Sequence, residues 1–396
     1  MHEDLTTFDL LEVGVPADPY PVYDRLREED PVHRMEGGRW LLTRYEDCSA
    51  VLRNPTMSSA QRTVDDGPGE TSLLQSYLSK LMLFSDAPDH TRLRGLVSRS
   101  FTPRVVEELR PRINELVDGL LDVAAEAGEL DVISGLGRPL PVVVIAEMLG
   151  VPAEDQDRFR SWSEALAHTV DPKMSPERAD EAAAAGLEFM EYFYALAEER
   201  RQRPQADLVS ALVADEDAGD RLSADELVAN CILLLIAGHE TTTNLIGNGT
   251  LALLRNPDEL ARFRADPGLA KTAVEELLRY DSPVHLTGRA ALEDVEIGGT
   301  QVRAGEFITV LLAAANRDPS AFAEPGQLDL ARSENKHLAF SSGPHFCLGA
   351  ALARLEGQIA LSSLVTRFPD LALTTDELEW NPTITLRGVQ QLQVSV

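Results

Sequence analysis

Residues 223–255 constrain the fold more than any other stretch. Ser223 and Glu226 form a capping-box pattern that opens a helix, and Pro257 marks its far end. About 30 residues at 1.5 Å each make a rod on the order of 45 Å long. From Cys231 to Ala237 the rod is apolar on every side, the mark of a helix buried in a domain. Directly after it comes AGHETTTN, residues 237–244. Polar groups in a buried helix are costly unless each finds a partner. Gly238 adds roughly 1 kcal/mol relative to alanine. Two readings stand: a kink with threonines bonded back to the helix, or a polar notch that faces a ligand.

A second constraint is FSSGPHFCLGAALAR, residues 340–354. Gly343 and Pro344 precede Cys347, Gly349 follows it, and an apolar periodic run starts at Ala350. The pattern predicts a tight loop that presents a thiol and then enters a helix. A thiol there meets backbone N–H groups and the positive end of the macrodipole, and both favour the thiolate. A lone cysteine is more often simply buried, so the surroundings must decide. Cys48, Cys231 and Cys347 are odd in number and widely spaced, with no C-x-x-C pair. That fits neither a disulfide framework nor a zinc finger, and it suits a reducing cytoplasm.

A formal net charge of −29 excludes nucleic acid as a partner. The start, MHEDLTTFDLLEV, has neither the basic n-region nor the apolar h-region of a signal peptide. The longest apolar runs are far too short to span a bilayer. The expectation is a cytoplasmic protein with no membrane partner. Length alone argues for two or three domains. No composition shift or linker divides the 396 residues, so a single domain over 1–396 is expected.

In chain order, residues 19–30 predict a short helix opened by Pro21. Residues 31–43 read as a hairpin split by Gly37-Gly38, 45–52 as a second helix and 54–79 as a polar loop. Residues 86–101 predict a helix with Pro88 in its first turn; His90 and Arg94 share one face, Arg92 and Arg99 another. A long helix over 103–126 is expected to kink at Pro111, with further helices over 141–149, 155–169 and 176–203. The helix at 270–280 carries Glu276 and Arg279, a spacing common in ordinary surface pairs. Alternation after residue 283 predicts hairpins around Gly298-Gly299 and Ala304-Gly305. Residues 350–368 predict a helix, and 383–396 a strand-like tail with a loop tip at 386–389. The fold class is mainly α with small β-sheets. No Rossmann fingerprint or P-loop is present, so neither nicotinamide nor flavin is expected on this chain.

Four motifs in order resemble the cytochrome P-450 family, from about residue 19 to the C-terminus. Phe340, Gly343, His345, Cys347 and Gly349 match its haem-binding loop; Ser341 replaces the usual glycine. Ala237, Gly238, Glu240 and Thr241 match its acid–alcohol motif. His90 and Arg94 match H-x-x-x-R, and Glu276 and Arg279 match E-x-x-R. A second arginine that often joins that pair falls at Gln327 here, with Arg332 as the substitute. The resemblance implies a helical, single-domain cytochrome P-450 fold around haem b (iron protoporphyrin IX), with Cys347 as the iron ligand. It implies that His90, Arg94, Arg289 and His345 hold the propionates. His285, Leu286 and Thr287 fall where the family lines its substrate pocket, although a histidine there can equally be a packing residue. The loop over 54–79 corresponds to a substrate cover, and the helices over 155–203 to a flap.

The activity implied is O₂-dependent hydroxylation or epoxidation of a small organic molecule, in the style of soluble bacterial members that tailor natural products. Thr241 and Glu240 would deliver protons to dioxygen. Electrons would come from a separate ferredoxin and ferredoxin reductase, with Arg92, Arg99, Arg104 and Arg112 as a candidate docking patch. A peroxide-driven peroxygenase would more often lack the acid–alcohol pair. A haem-thiolate gas sensor would not need it, and a scaffold that had lost haem would not need Cys347.

Overall fold

The computed structural model describes residues 17–60, 80–167, 175–217 and 222–396. The loop expected over 54–79 therefore lies largely outside the described residues, as do the last two residues of the helix expected over 155–169. Helices α1 (Tyr20–Glu29) and α2 (Tyr45–Arg53) bracket the hairpin of β1 (Val32–Arg34) and β2 (Trp40–Leu42), and a short β3 (Met57–Ser58) follows. Next come α3 (Asp89–Val97), α4 (Pro103–Glu108) and α5 (Arg110–Ala127). The single kinked helix expected over 103–126 is thus two helices, broken at Leu109. Pro111 has no N–H for the Glu107 carbonyl, and its ring crowds that carbonyl, so the chain restarts with proline in the first turn.

After β4 (Glu129–Asp131) run α6 (Pro139–Leu149), α7 (Gln156–Ala167), α8 (Pro176–Gln202) and α9 (Leu208–Asp217). The long α10 (Ala224–Arg255) opens on the capping box: Ser223 N donates to Glu226 Oε2 at 2.7 Å, and Glu226 N donates to Ser223 Oγ at 3.2 Å. Then come α11 (Pro257–Ala265), α12 (Ala270–Tyr280), β5 (Leu286–Ala291), β6 (Val295–Ile297), β7 (Thr300–Val302) and β8 (Phe307–Leu311). A one-turn α13 (Leu312–Ala315), α14 (Ala350–Arg367), β9 (Ala372–Leu373) and β10 (Gln393–Ser395) complete the order.

The chain forms two compact units. One comprises Met1–Met57, Glu107–Leu140 and Thr241–Val396; the other comprises Ser58–Val106 and Pro141–Glu240. The first holds the sheets. Its five-stranded sheet has the order β1-β2-β8-β5-β3, with β2 and β8 parallel. The two-residue period of a strand sorts the side chains here. Trp40, Leu42, Ile308 and Val310 pack into one apolar cluster, while Leu41 and Leu311 pack into another with Tyr23 and Leu26.

The turn at Gly298-Gly299 makes the β6–β7 hairpin, as expected. The turn at Ala304-Gly305 does not make a second one. Gly305 is left-handed there and β8 pairs with β5 and β2, because the buried partner of FITVL is the main sheet. Only Gln393–Ser395 of the tail is a strand, and it pairs with β4 and β9. The tip at 386–389 rests on α10: Asn248 Nδ2 donates to the Arg387 carbonyl at 2.9 Å, and a Cβ on Gly388 would strike Asn244. The second unit has an aromatic core. Phe159 and Trp162 of α7 meet Phe189, Tyr192 and Phe193 of α8, with Phe189 and Phe193 stacked at 4.4 Å.

Candidate functional site

Backbone hydrogen bonds shape the turn of the thiol loop. Ser341 N donates to the Leu338 carbonyl at 2.8 Å, Cys347 N to the Phe340 carbonyl at 2.9 Å, and Phe346 N to the Gly343 carbonyl at 3.1 Å. Gly343 has a φ of +71°, and a Cβ on it would lie 2.4 Å from the Leu52 carbonyl oxygen. Only glycine lets the loop lie that close to α2. Cys347 comes out exposed, three residues before α14 begins. Cys48 and Cys231 are buried, and burial pushes both thiols well above their ordinary range, so neither is suited to present a thiolate. The sequence departs from the family pattern at Ser341, which is left-handed, with a φ of +62°, a conformation that glycine adopts more readily.

Two carboxylates of α12 brace this loop. Glu276 and Arg279 are both 0% exposed, which sets them apart from an ordinary surface pair. Arg279 donates twice to the Glu276 carboxylate, at 2.7 and 2.8 Å. The same carboxylate accepts from Arg332 Nε at 3.0 Å, Asn335 Nδ2 at 3.1 Å and Asp329 N at 3.0 Å. Arg332 therefore stands where Gln327 could not, while the Gln327 carbonyl accepts from Arg279. Glu275, the neighbouring residue, was not singled out in the sequence. It takes a bidentate bond from Arg354 at 2.6 and 2.7 Å and lies 3.2 Å from His337 Nε2. Although burial opposes it, these cations and hydrogen bonds hold the Glu275 carboxyl down to about 2. Arg354 also lies over the Phe340 ring, 4.5 Å from its centroid.

On α10 the helix is accessible along part of the polar run. Ala237 is exposed, and Gly238, Glu240 and Thr241 are half-buried, whereas residues 231–235 and 242–250 are buried. The remaining polar side chains of the run turn inward. His239 Nδ1 lies 2.6 Å from Ser163 Oγ, and Thr243 Oγ1 donates to the Gly137 carbonyl at 2.9 Å. Thr242 bonds to Glu356, a carboxyl buried on α14 that burial pushes up to about 8. Glu356 was invisible in the sequence, because one acid inside an amphipathic-looking helix reads as a surface residue.

The other candidates are placed as follows. His90 and Arg94 lie one turn apart on α3, His90 buried and Arg94 half-buried. Arg289 is buried on β5 and donates to its neighbour's carbonyl, Gly288 O, at 2.7 Å. His345 is half-buried in the same loop as Cys347. His285 is fully buried, with Nδ1 3.1 Å from the Tyr23 hydroxyl and its ring beside Tyr20. Burial pushes its pKa down against the pull of Asp281. Leu286 and Thr287 are half-buried. Arg92 is turned onto Glu226 and Arg112 onto Glu115, while Arg99 and Arg104 are exposed.

The donor set fits a haem. Within the first unit there is an exposed thiol, Cys347, for the iron, with His345 in the same loop and Arg289 on β5 for carboxylates. Among the described residues, no group of three or more His, Cys, Asp or Glu side chains can hold a bare metal ion. No helix among them is long and apolar enough to cross a membrane.

The family described as Cytochrome P450 matches residues 32–267 and 268–387. The polyketide biosynthesis cytochrome P450 PksS of Bacillus subtilis is 41% identical, with 96% of each chain covered. The cytochrome P450 monooxygenase PikC of Streptomyces venezuelae is 46% identical over 96% of this chain and 91% of its own. Among solved structures, P450BioI in complex with an acyl carrier protein carrying hexadec-9Z-enoic acid superposes with a TM-score of 0.91. It is 39% identical, with 98% of this chain and 99% of the other covered. The chain therefore belongs to the cytochrome P450 family, has its fold, and is an oxidoreductase of the monooxygenase class, with the haem-thiolate cofactor that the family implies.

Proposed function

With membership of the cytochrome P450 family as premise, we propose that the chain is one domain that hydroxylates or epoxidises a small organic molecule in natural-product tailoring. It works in the cytoplasm, binds haem b, and takes electrons from a separate ferredoxin and its reductase. The observation that carries the reading is the accessibility of Ala237, Gly238, Glu240 and Thr241 between buried stretches of α10. Relatives named for polyketide biosynthesis and for monooxygenation support the substrate class.

Cys347 would hold the haem iron through its thiolate, and His90, Arg94, Arg289 and His345 would hold the propionates. Thiolate-ligated haem supplies reductive O₂ activation, since the thiolate favours O–O cleavage. Thr241 and Glu240 are adjacent and so point about 100° apart on a helix. The short Thr241 hydroxyl can both donate and accept, which suits it to face dioxygen. Glu240 would pass protons inward from solvent. Leu286 and Thr287 would line the substrate wall; His285 is engaged with Tyr23 and serves that wall as packing. Arg92, Arg99, Arg104 and Arg112 would carry the docking patch for the electron donor.

The test measures NAD(P)H consumed, peroxide released and product formed, with a substrate found by a type I spectral-shift screen. Thr241→Ala should keep haem, substrate binding and electron uptake, yet release most of its reducing equivalents as peroxide. Wild-type coupling in that variant, with a substrate lacking a hydroxyl near its reacting carbon, sinks the reading. Equal turnover driven by peroxide alone would favour the peroxygenase instead.

A further inference from the structure

Helix α7 shows a buried apolar stripe of Phe159, Trp162 and Leu166, interrupted by Ser163, which is 0% exposed. A hydroxyl in such a stripe is costly unless it is bonded. Its partner is His239 of α10, also 0% exposed, with Oγ 2.6 Å from Nδ1. The same Nδ1 lies 3.8 Å from Glu240 Oε1. The ring is thus held on one nitrogen by the hydroxyl, and the carboxylate beside it in the chain lies within electrostatic reach of that same nitrogen. The rest of the α7 stripe faces α8. Trp162 Nε1 donates to Glu188 at 3.1 Å, and Phe159 and Trp162 pack on the aromatic cluster of that helix. Two apolar residues of matched shape would fill the Ser163–His239 space with little loss of stability. The polar pair therefore calls for a role beyond packing.

We propose that Ser163 and His239 are positioning residues: their hydrogen bond ties α7 to α10 and sets where the Glu240 carboxylate sits. This rests on the reading of Glu240 as the proton-delivering acid. Motion of α7 then reaches the acid through one imidazole. When α7 is docked, the ring is held and Glu240 is aligned. When α7 lifts, the ring loses its anchor and the acid loses its alignment.

The test uses the haem-loaded chain with O₂, NAD(P)H, a surrogate ferredoxin and its reductase and the substrate found by the spectral-shift screen, plus amide hydrogen exchange of residues 156–167. Losing one buried bond should speed exchange in α7 about five- to tenfold in Ser163→Ala. It should lower kcat by about tenfold while leaving the KM for that substrate unchanged. Ser163→Thr, which keeps the hydroxyl, should restore both. In a Glu240→Gln background, Ser163→Ala should cost no further turnover, because the two act through one group. The double variant Ser163→Ala/His239→Leu should melt like the wild type and still turn over slowly. Additive losses of turnover with Glu240→Gln, or wild-type turnover despite faster exchange, overturn the positioning role. Unchanged exchange overturns the tie itself. Wild-type turnover in Glu240→Gln alone instead defeats the assignment of Glu240, and with it the premise.

Discussion

Replacing Glu356 with Gln should make the protein more stable as pH rises, and by an amount the burial sets. The carboxyl is buried on α14, only the Thr242 hydroxyl favours its charged form, and Oε1 has no partner. Desolvation therefore wins and lifts its pKa from 4.5 to about 8. Below pH 4.5 the group is protonated in both folded and unfolded chains, and the fold loses nothing. Above it the unfolded chain releases the proton and the folded chain keeps it. Stability then falls by about 1.4 kcal/mol per pH unit until the folded group ionises near pH 8. The accumulated loss is on the order of 3 kcal/mol at pH 7 and 5 kcal/mol at pH 8, an upper bound that any local opening relieves. Glutamine cannot ionise, so it escapes the whole slope. Its amide meets the same unpartnered space, which adds a constant offset of about 1–3 kcal/mol against the variant. The slope, not the offset, is the readout. Thermal melts of haem-loaded wild type and Glu356→Gln from pH 5 to 8.5 should therefore converge or cross, with the variant gaining at the alkaline end. Parallel curves across that range would refute a raised pKa at this site.

Cys347→His should keep haem but abolish the red-shifted Soret band of the reduced, CO-bound protein; loss of that band in Cys48→Ser or Cys231→Ser instead would overturn the ligand assignment. Arg332→Leu should destabilise by about 2 kcal/mol and Arg279→Leu by about 3–5 kcal/mol, because Glu276 keeps its bidentate partner in the first variant and loses it in the second. Urea denaturation should rank them in that order. Ser341→Gly should stabilise by about 1–2 kcal/mol: it relieves a left-handed serine and a buried hydroxyl without a partner, against a smaller entropic loss for glycine. A lower melting temperature in that variant would count against a strained loop.

What was legible in the sequence was whatever acts over one or two helical turns. The Ser223–Glu226 cap, the Glu276–Arg279 pair and the glycine-rich entry to α14 each state their geometry in a few neighbouring letters. What was illegible depends on chain crossings. Arg332 reaches Glu276 across 56 residues, a pairing that only the family resemblance suggested, and His239 reaches Ser163 across 76; neither separation has a period to detect. The failed hairpin at Ala304-Gly305 has the same origin: its turn chemistry was right, but β8 found better burial in the main sheet. The break at Leu109 was local and misjudged only in degree, since Pro111 ends a helix where a kink was expected. Ser341 separates the two kinds of information. Its side chain argued against the loop and its backbone adopts the loop regardless, because the Leu338 and Phe340 carbonyls and the close approach of Gly343 to Leu52 over-determine that turn. The serine is tolerated because the strain at one residue is smaller than the sum of those contacts. A change that loosened them, at Gly343 above all, should be felt at Ser341 before it is felt at Cys347.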